Sequence, residues 1–300
     1  MLAAALLAVC LPAMAANLFV IEVGFWKNYI IGNYRIFVSF IALCQLFAAF
    51  IHGILAPWSI LSGRKLPCFF FYTIGVLVGL CHFQAVSLLA FDRFMKLFYK
   101  HAHHRYFTKR FCLSICVFGF VVSLTITFPL FFHTVDRPPV LCNILFLNHT
   151  DFKVRLTAHL GVSLVFMPCF LVTTGSVVAV FARLGKAATS TVFIHGQMLQ
   201  NQRNKELIRG VMLQYATTIL LTSPGAFYFL AKSNFGLEGK GNIAAVVVIC
   251  YILNFTVDPF LTILIIKPYK DAFVTTWRRF RVGACKRVEE VNDVELHTVS

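Results

Sequence analysis

Charged residues are scarce in this chain. Only 13% of the 300 residues are charged, whereas 59% are hydrophobic. A soluble domain has about a quarter of its residues charged, and a soluble fold of this length would leave many of these apolar side chains unburied. The shortage of charge therefore argues against a water-soluble globular protein. It favours a polytopic membrane protein, in which lipid covers the apolar surface.

Acidic residues are scarcer than basic ones. The chain has 12 Asp and Glu against 27 Lys and Arg, which gives a formal net charge of +15. A nucleic-acid-binding protein would carry such an excess as a basic face on a soluble fold. Here the basic residues lie in short segments between long apolar runs. Membrane topology explains them better, and we expect no nucleic-acid partner.

Catalytic motifs are missing as well. The sequence has no nucleophile elbow, no phosphate-binding loop and no zinc-type spacing of cysteines or histidines. We therefore expect no enzyme activity, no cofactor and no metal ion. His101, His103 and His104 could bind a metal in isolation. We interpret their segment instead as a basic face that meets anionic lipid and a cytoplasmic partner.

Long apolar runs are what the chain has in abundance. Each is long enough for the roughly 20 residues that a membrane-spanning helix requires, so we predict an all-α membrane protein with a seven-transmembrane helix bundle. The first run also resembles a secretory signal ending at Ala13-Met14-Ala15. A transmembrane helix is favoured there because the run continues and no basic segment precedes it. The predicted spans are 2–22, 36–57, 68–91, 111–133, 156–182, 210–231 and 242–266.

The basic residues also predict the orientation of the bundle. With the N-terminus outside, the cytoplasmic segments hold 20 of the 27 Lys and Arg residues. Positive charge concentrates on the cytoplasmic side of membrane proteins, so we expect the N-terminus outside and the C-terminus in the cytoplasm. The odd number of spans argues against a transporter built from two repeated halves.

Two cysteines are expected at the outer surface, where a disulfide is chemically permitted. Cys68 begins the third span and Cys142 lies in the loop after the fourth; the other eight fall inside spans or in the cytoplasmic tail. The alternative is two free thiols. The same outer loop contains Asn148-His149-Thr150, a glycosylation sequon that makes Asn148 a candidate acceptor.

Several motifs occur together in this framework. Cys68 lies 25 residues before Arg93, Asp92-Arg93 follows the third span, and NFTVDPFLTILIIKPYKDAF covers the seventh. With these features the sequence resembles the rhodopsin-type G-protein-coupled receptors. The run CFFFYTIGVLVGLCHFQAVSLLAFDRF is most similar to the nematode chemoreceptors of the Srsx type.

The resemblance implies a plasma-membrane receptor that activates a heterotrimeric G protein. It assigns Asp92, Arg93 and Phe94 to the cytoplasmic switch, where Phe94 replaces the usual tyrosine. The alternative is that the charged pair only anchors the end of the helix at the membrane interface. We expect a short amphipathic helix after the seventh span, a receptor domain over 1–274 and a disordered tail over 275–300. Within this tail, Cys285 follows a basic cluster and is a candidate for palmitoylation.

The resemblance also groups polar residues inside the bundle. Asp258 is the only acid deep within a predicted span, so it should be hydrogen-bonded, hydrated or protonated. Asn17, Asn254 and Gln45 are its expected neighbours, and Pro259 beside it frees backbone groups. Gln45 stands where many relatives have a sodium-binding aspartate. We interpret the group as a hinge that repacks on activation, with a static polar contact as the alternative.

A ligand cavity is expected to open outward between the third, fifth, sixth and seventh spans. The outer halves of these spans hold no acid or base apart from His159, which favours an uncharged or hydrogen-bonding small ligand. Alternatives are a neuropeptide receptor of the same fold, a channel or transporter, and a family member that no longer signals. The candidate lining residues are Val76, Gly79, His159, Met167, Tyr228 and Tyr251.

Overall fold

The computed structural model shows a bundle of helices. It describes residues 2–25, 33–62, 68–129, 156–157, 159–189, 213, 215–221, 223–224 and 241–279. All regular structure within these ranges is helical. The helices are α1 (Leu2–Phe25), α2 (Tyr34–Phe50), α3 (Ala56–Ser62), α4 (Cys68–Phe98), α5 (Lys100–Tyr106), α6 (Lys109–Thr127), α7 (Met167–Thr189), α8 (Gly241–Ile265) and α9 (Lys267–Arg279).

The helices match the length and composition of membrane spans. Among the described residues, five are long and apolar enough to cross a bilayer, and α8 with α9 forms a sixth candidate bent by 87°. Residues 215–221, inside the predicted sixth span, are also helical. The prediction of an all-α membrane bundle is confirmed.

Two spans contain π-helical turns, and each turn ends two residues before a proline. The turn Ile51–Leu55 precedes Pro57, and the turn Gly161–Phe166 precedes Pro168. A proline inside a helix removes one backbone donor, and its ring clashes with the carbonyl four residues earlier. That carbonyl lies within the π turn in both cases. The wider turn therefore accommodates the proline ring without ending the span.

The third predicted span provides the central helix of the bundle. α4 packs against α2, α6 and α7, while α1 packs between α2 and α8. Gly119 of α6 allows one of these close approaches, because a Cβ there would collide with the side-chain amide of Gln84 on α4. The largest core cluster joins α1, α2, α4 and α9 through buried residues that include Phe37, Leu89 and Tyr269.

The outward faces of the helices are apolar and exposed. Phe118 of α6, Leu171 of α7 and Leu220 of the sixth span are each more than 60% accessible in the isolated chain. An apolar surface of this extent on several helices is what a lipid-facing bundle presents. Because lipid would cover these faces, the bundle does not have to bury all of its apolar side chains in a core.

The C-terminal end of α4 differs from the predicted span boundary. α4 runs to Phe98, seven residues beyond the predicted boundary at 91, so Asp92 and Arg93 lie inside a continuous helix. α9 follows α8 after Ile266 and turns nearly at right angles to it. In α9, Tyr269 and Ala272 are buried, whereas Lys267 and the other charged side chains are exposed. This pattern is that of an amphipathic interfacial helix.

Candidate functional site

Asp92 and Arg93 form a buried ion pair near the end of α4. Their exposures are only 2% and 6%, and Arg93 Nε lies 3.5 Å from Asp92 Oδ2. Removing two charges from water costs free energy that their attraction offsets only when further partners are present. Each member of the pair has such a partner on another element.

Tyr34, the first residue of α2, is the additional partner of Arg93. The guanidinium carbon lies 4.0 Å from the centroid of the Tyr34 ring. A cation over an aromatic face gains about 2 kcal/mol when both groups are desolvated. Arg93 Nη2 has no hydrogen-bond partner among the described residues. The guanidinium is therefore held by a carboxylate and a ring while it retains a donor for another partner.

His103, in the short helix α5, is the additional partner of Asp92. Its Nε2 lies 2.8 Å from Asp92 Oδ1, and its ring stacks on Phe107 at 4.9 Å between centroids and 13° between planes. A carboxylate only accepts hydrogen bonds, so Nε2 carries the proton and donates it. The sequence analysis treated His101, His103 and His104 as one basic face. His103 instead points inward and is buried, while His101 and His104 are exposed.

The loop that carries His103 is fixed at several points. Asn33, just before α2, donates its side-chain amide to the backbone carbonyl of Phe107. Thr108 caps α6, because its Oγ1 accepts from Phe111 N at 3.2 Å. The opposite surface of this loop is exposed, basic and aromatic. Its residues are Lys100, His101, His104, Arg105, Tyr106, Lys109 and Arg110.

Phe94 takes no part in these polar contacts. Its ring lies 6.2 Å from Phe91, 4.8 Å from Phe98 and 6.0 Å from Tyr99, each measured between centroids. These rings run along the same side of α4, and Phe91 in turn contacts Phe107 at 6.0 Å. Phe94 thus contributes apolar packing beside the ion pair, where a tyrosine would add a hydroxyl.

A second polar group lies deep in the bundle. The structure brings together four of the residues that the sequence analysis grouped there, and all four are buried. Gln45 Nε2 of α2 donates to Asp258 Oδ2 of α8. Asn17 of α1 contacts the backbone of α8 at Phe255, and Asn254 lies one turn before Asp258 in α8. The Asp258 carboxyl thus has a side-chain donor from another helix, as burial requires.

Asn17 also compensates for Pro259. A proline at 259 leaves the carbonyl of Phe255, four residues earlier, without its helical donor. Asn17 Nδ2 lies 3.5 Å from that carbonyl oxygen and 2.9 Å from the carbonyl oxygen of Ala13 in its own helix. α8 continues through Pro259 to Ile265. Asn17 of α1 therefore supplies part of the hydrogen bonding that Pro259 removes from the backbone of α8.

His82 of α4 belongs to this polar group, although the sequence analysis did not include it. Its Nε2 lies 3.5 Å from Asn254 Nδ2, and its ring is buried. The sequence spacing could have indicated this, because positions 75, 79, 82 and 86 lie on one face of a helix. A histidine on the same face as two glycines is a polar group directed at a neighbouring helix.

The proposed ligand-lining residues lie in different surroundings. Gly79 faces open space among the described residues, since no atom lies within 4 Å of a Cβ built there. Val76 packs against the cluster of Leu80, Ile126 and Val165. His159 is partly buried, and Met167 is 45% exposed.

Other predicted positions lie outside the described residues. These are Cys142, Asn148, Tyr228 and Cys285, together with the side chains of Cys68 and Tyr251. Within the described part of the chain, no three His, Cys, Asp or Glu side chains are arranged as metal ligands.

The architecture can be compared with known proteins. No protein-family model matches the chain, and no curated protein matches it. Among solved structures, the crystal structure of squid rhodopsin superposes with a TM-score of 0.76 at 15% sequence identity. The match covers 92% of this chain and 84% of that one. The chain therefore has the rhodopsin fold, a seven-helix membrane bundle with a short helix after the last span.

Proposed function

We propose that this chain is a plasma-membrane receptor that activates a heterotrimeric G protein from its cytoplasmic side. The observation that carries the proposal is the buried Asp92–Arg93 pair with its two further partners, Tyr34 and His103. An interfacial anchor would let its arginine reach water. In this bundle the guanidinium is covered; Tyr34 of α2 contacts it, and His103 of α5 contacts its carboxylate partner Asp92.

The arrangement fits a two-state switch. In the resting state the carboxylate and the Tyr34 ring hold Arg93, and His103 holds the carboxylate and ties α5 to α4. If the pair separates, the guanidinium becomes available to a partner that enters from the cytoplasm. A partner that binds only this released state shifts the population toward it. The receptor would thus promote nucleotide exchange through conformational change, without catalytic chemistry of its own.

The polar group around Asp258 is proposed as the hinge that connects ligand binding with this switch. Its hydrogen bonds join α1, α2 and α4 to α8. Such contacts have discrete alternative partners, so they suit repacking between two arrangements. Pro259 contributes by leaving the backbone of α8 less constrained at that level.

The orientation follows from the distribution of basic residues, which places the N-terminus outside and the C-terminus in the cytoplasm. The exposed basic face of α5 would then meet anionic lipid headgroups as well as the G protein. The receptor domain spans 1–274. The expectation of disorder over 275–300 is wrong for residues 275–279, because α9 continues to Arg279, and residues 280–300 lie outside the described part of the chain.

A chemosensory role of the nematode Srsx type is the finer proposal. It rests on the run of residues 68–94. It also rests on the outer halves of the helices that would enclose the cavity, which hold no acid or base apart from His159. An uncharged or hydrogen-bonding small ligand suits such surroundings. A ligand panel in cells that express the receptor with a promiscuous G protein tests it. A response to basic peptides alone would favour the neuropeptide alternative, and a current without G protein would favour a channel.

Three covalent features of the proposed topology can be tested by mass spectrometry. A disulfide between Cys68 and Cys142 is expected in a non-reducing digest, and recovery of both as free thiols would contradict it. Asn148 is expected to carry a glycan that is lost with Thr150→Ala. Cys285 is expected to carry a hydroxylamine-sensitive acyl chain.

The receptor function itself is tested by paired substitutions in cells that report G-protein activation. Asp92→Asn removes one charge of the pair and is expected to raise ligand-independent signalling, because Arg93 is then held less tightly. Arg93→Ala is expected to abolish coupling at equal surface expression. Lys270→Ala, an exposed cation in α9, is the matched control and should leave both signals unchanged. Unaltered signalling in the Asp92 and Arg93 variants would refute the proposal.

A further inference from the structure

One face of α4 combines two glycines with a histidine. Gly75, Gly79, His82 and Val86 follow the spacing i, i+4, i+7 and i+11, which places them along a single side of the helix. The apolar residues on the other sides pack elsewhere: Val78 and Cys81 pack toward α1 and α2, and Leu80 packs toward Val165. The part of this side at Gly79 is therefore distinct from these two packing faces, whereas Val86, further along the same side, belongs to the core.

Open space adjoins this face at Gly79. No atom of a described residue lies within 4 Å of a Cβ built at this position, and Gly79 is partly exposed although Val78 and Leu80 on either side are buried. Most other described glycines face a neighbour: Gly161 contacts Leu80, and Gly119 contacts Gln84, whereas Gly175 also has open space beside it. The space beside Gly79 is thus not a general feature of the glycines in the bundle.

Polar atoms with unused hydrogen-bonding capacity lie one turn deeper on the same face. His82 and Asn254 are 4% and 3% exposed, and they contact each other at 3.5 Å. His82 Nδ1 and Asn254 Oδ1 have no partner among the described residues. A buried polar atom without a partner costs about 1–3 kcal/mol. His82 Nδ1 and Asn254 Oδ1 thus belong to touching residues, and each can accept a further hydrogen-bonding group.

The contact between the two residues defines what that group must be. If Asn254 Nδ2 donates to His82 Nε2, the neutral imidazole carries its proton on Nδ1, which leaves one donor, Nδ1–H, and one acceptor, Asn254 Oδ1. If the amide is turned over, Nδ1 becomes the acceptor and the amide nitrogen becomes the donor. Either arrangement offers one donor and one acceptor. A hydroxyl group, which both donates and accepts, is complementary to both.

We propose that this pair is the polar floor of the ligand cavity and that its ligand is an uncharged amphiphile with a terminal hydroxyl. The hydroxyl would bind His82 Nδ1 or Asn254 Oδ1, and the apolar body would occupy the open space beside Gly79. An ammonium or carboxylate ligand would need a counter-ion. The nearest buried acid on α8, Asp258, is already bound by Gln45. This inference rests on the proposed function, since it takes the cavity to be a ligand site.

The first test measures thermal unfolding of the full chain in lipid nanodiscs with 1-octanol as the probe, and with octane, octylamine and octanoate for comparison. We expect 1-octanol to stabilise the native chain. Gly79→Leu should abolish the effect by filling the space, and His82→Phe should weaken octanol binding about tenfold, the equivalent of one hydrogen bond. Gly175→Leu is the matched control, because Gly175 in α7 also has open space beside it but is exposed. It should bind octanol like the native chain.

Several results would overturn the inference. They are the absence of any stabilisation by 1-octanol, equal stabilisation by octane, and octanol binding by Gly79→Leu equal to that of Gly175→Leu. A second measurement applies if the Leu variant fails to fold. Gly79→Cys should react with N-ethylmaleimide much faster than Ala85→Cys, whose site is fully buried, and 1-octanol should slow that reaction. Equally slow reaction of both thiols would contradict the proposed space.

The same nanodiscs distinguish this inference from the proposed function. If octanol binds through Gly79 and His82 but nucleotide exchange on added G protein never responds to Arg93→Ala, the receptor function fails and the site stands. If Arg93→Ala abolishes exchange while octanol binding is insensitive to both cavity positions, the receptor function stands and the hydroxyl site fails.

Discussion

Loss of the contact between His103 and Asp92 should raise the basal activity of the receptor. The substitution His103→Phe keeps an aromatic ring to stack on Phe107 and removes only the donor, Nε2, that lies 2.8 Å from Asp92 Oδ1. A hydrogen bond to a charged group contributes about 1.5–3 kcal/mol. Asp92 and His103 are both largely shielded from solvent, so screening by water and salt reduces this value little.

The expected size of the effect follows from two-state arithmetic. If the bond exists only in the resting arrangement, its loss shifts the equilibrium by about 2 kcal/mol, or roughly 30-fold. A receptor that is about 1% active at rest would then be roughly 20% active without ligand. Basal nucleotide exchange on G protein by the purified variant measures this directly.

His104→Phe is the matched control, because His104 is the exposed neighbour on the same helix. It should leave basal exchange unchanged, and His103→Gln, which restores a donor, should recover part of the native value. Native basal exchange in His103→Phe, from a folded and surface-expressed protein, would refute the reasoning that the contact holds the resting state.

Two further predictions concern the polar group in the bundle. Gln45→Leu removes the side-chain donor to the Asp258 carboxyl and should lower the free energy of unfolding by about 2 kcal/mol. Adding Asp258→Leu should restore part of that loss. A double variant that is less stable than Gln45→Leu in thermal unfolding would contradict the contact. Asn17→Val removes the donor to the Phe255 carbonyl, which lacks a helical donor because of Pro259. Combining it with Pro259→Ala should therefore cost less than the sum of the two single changes, and strict additivity in unfolding measurements would count against the compensation.

The helices were the most predictable part of the fold. Hydropathy alone located the spans, because a segment that crosses lipid must be apolar throughout and must satisfy its own backbone hydrogen bonds. The end of α4 was harder to predict. The charges of Asp92 and Arg93 predict that the span ends just before them, yet the helix continues to Phe98. Their opposite charges offset each other, and Tyr34 and His103 provide further contacts, so the pair can be buried within a helix.

The composition of the sites was only partly predictable. The sequence analysis grouped Asn17, Gln45, Asn254 and Asp258, since a buried acid needs polar neighbours from other helices. It missed His82, and it missed the inward direction of His103. Whether a histidine in a basic loop faces solvent or a carboxylate eleven residues earlier depends on how the loop folds back, and local sequence does not specify that.

The central claim is that Arg93, released from its buried partners, couples this bundle to a G protein. The most direct measurement is nucleotide exchange by purified heterotrimeric G protein mixed with the purified chain in nanodiscs. The comparison is made among the native protein, Asp92→Asn, Arg93→Ala and Lys270→Ala. We predict exchange above the rate of G protein alone for the native chain and Lys270→Ala, faster exchange for Asp92→Asn, and none above that rate for Arg93→Ala. Exchange that is equal for all four proteins, or absent from all of them when each is folded, would contradict the account.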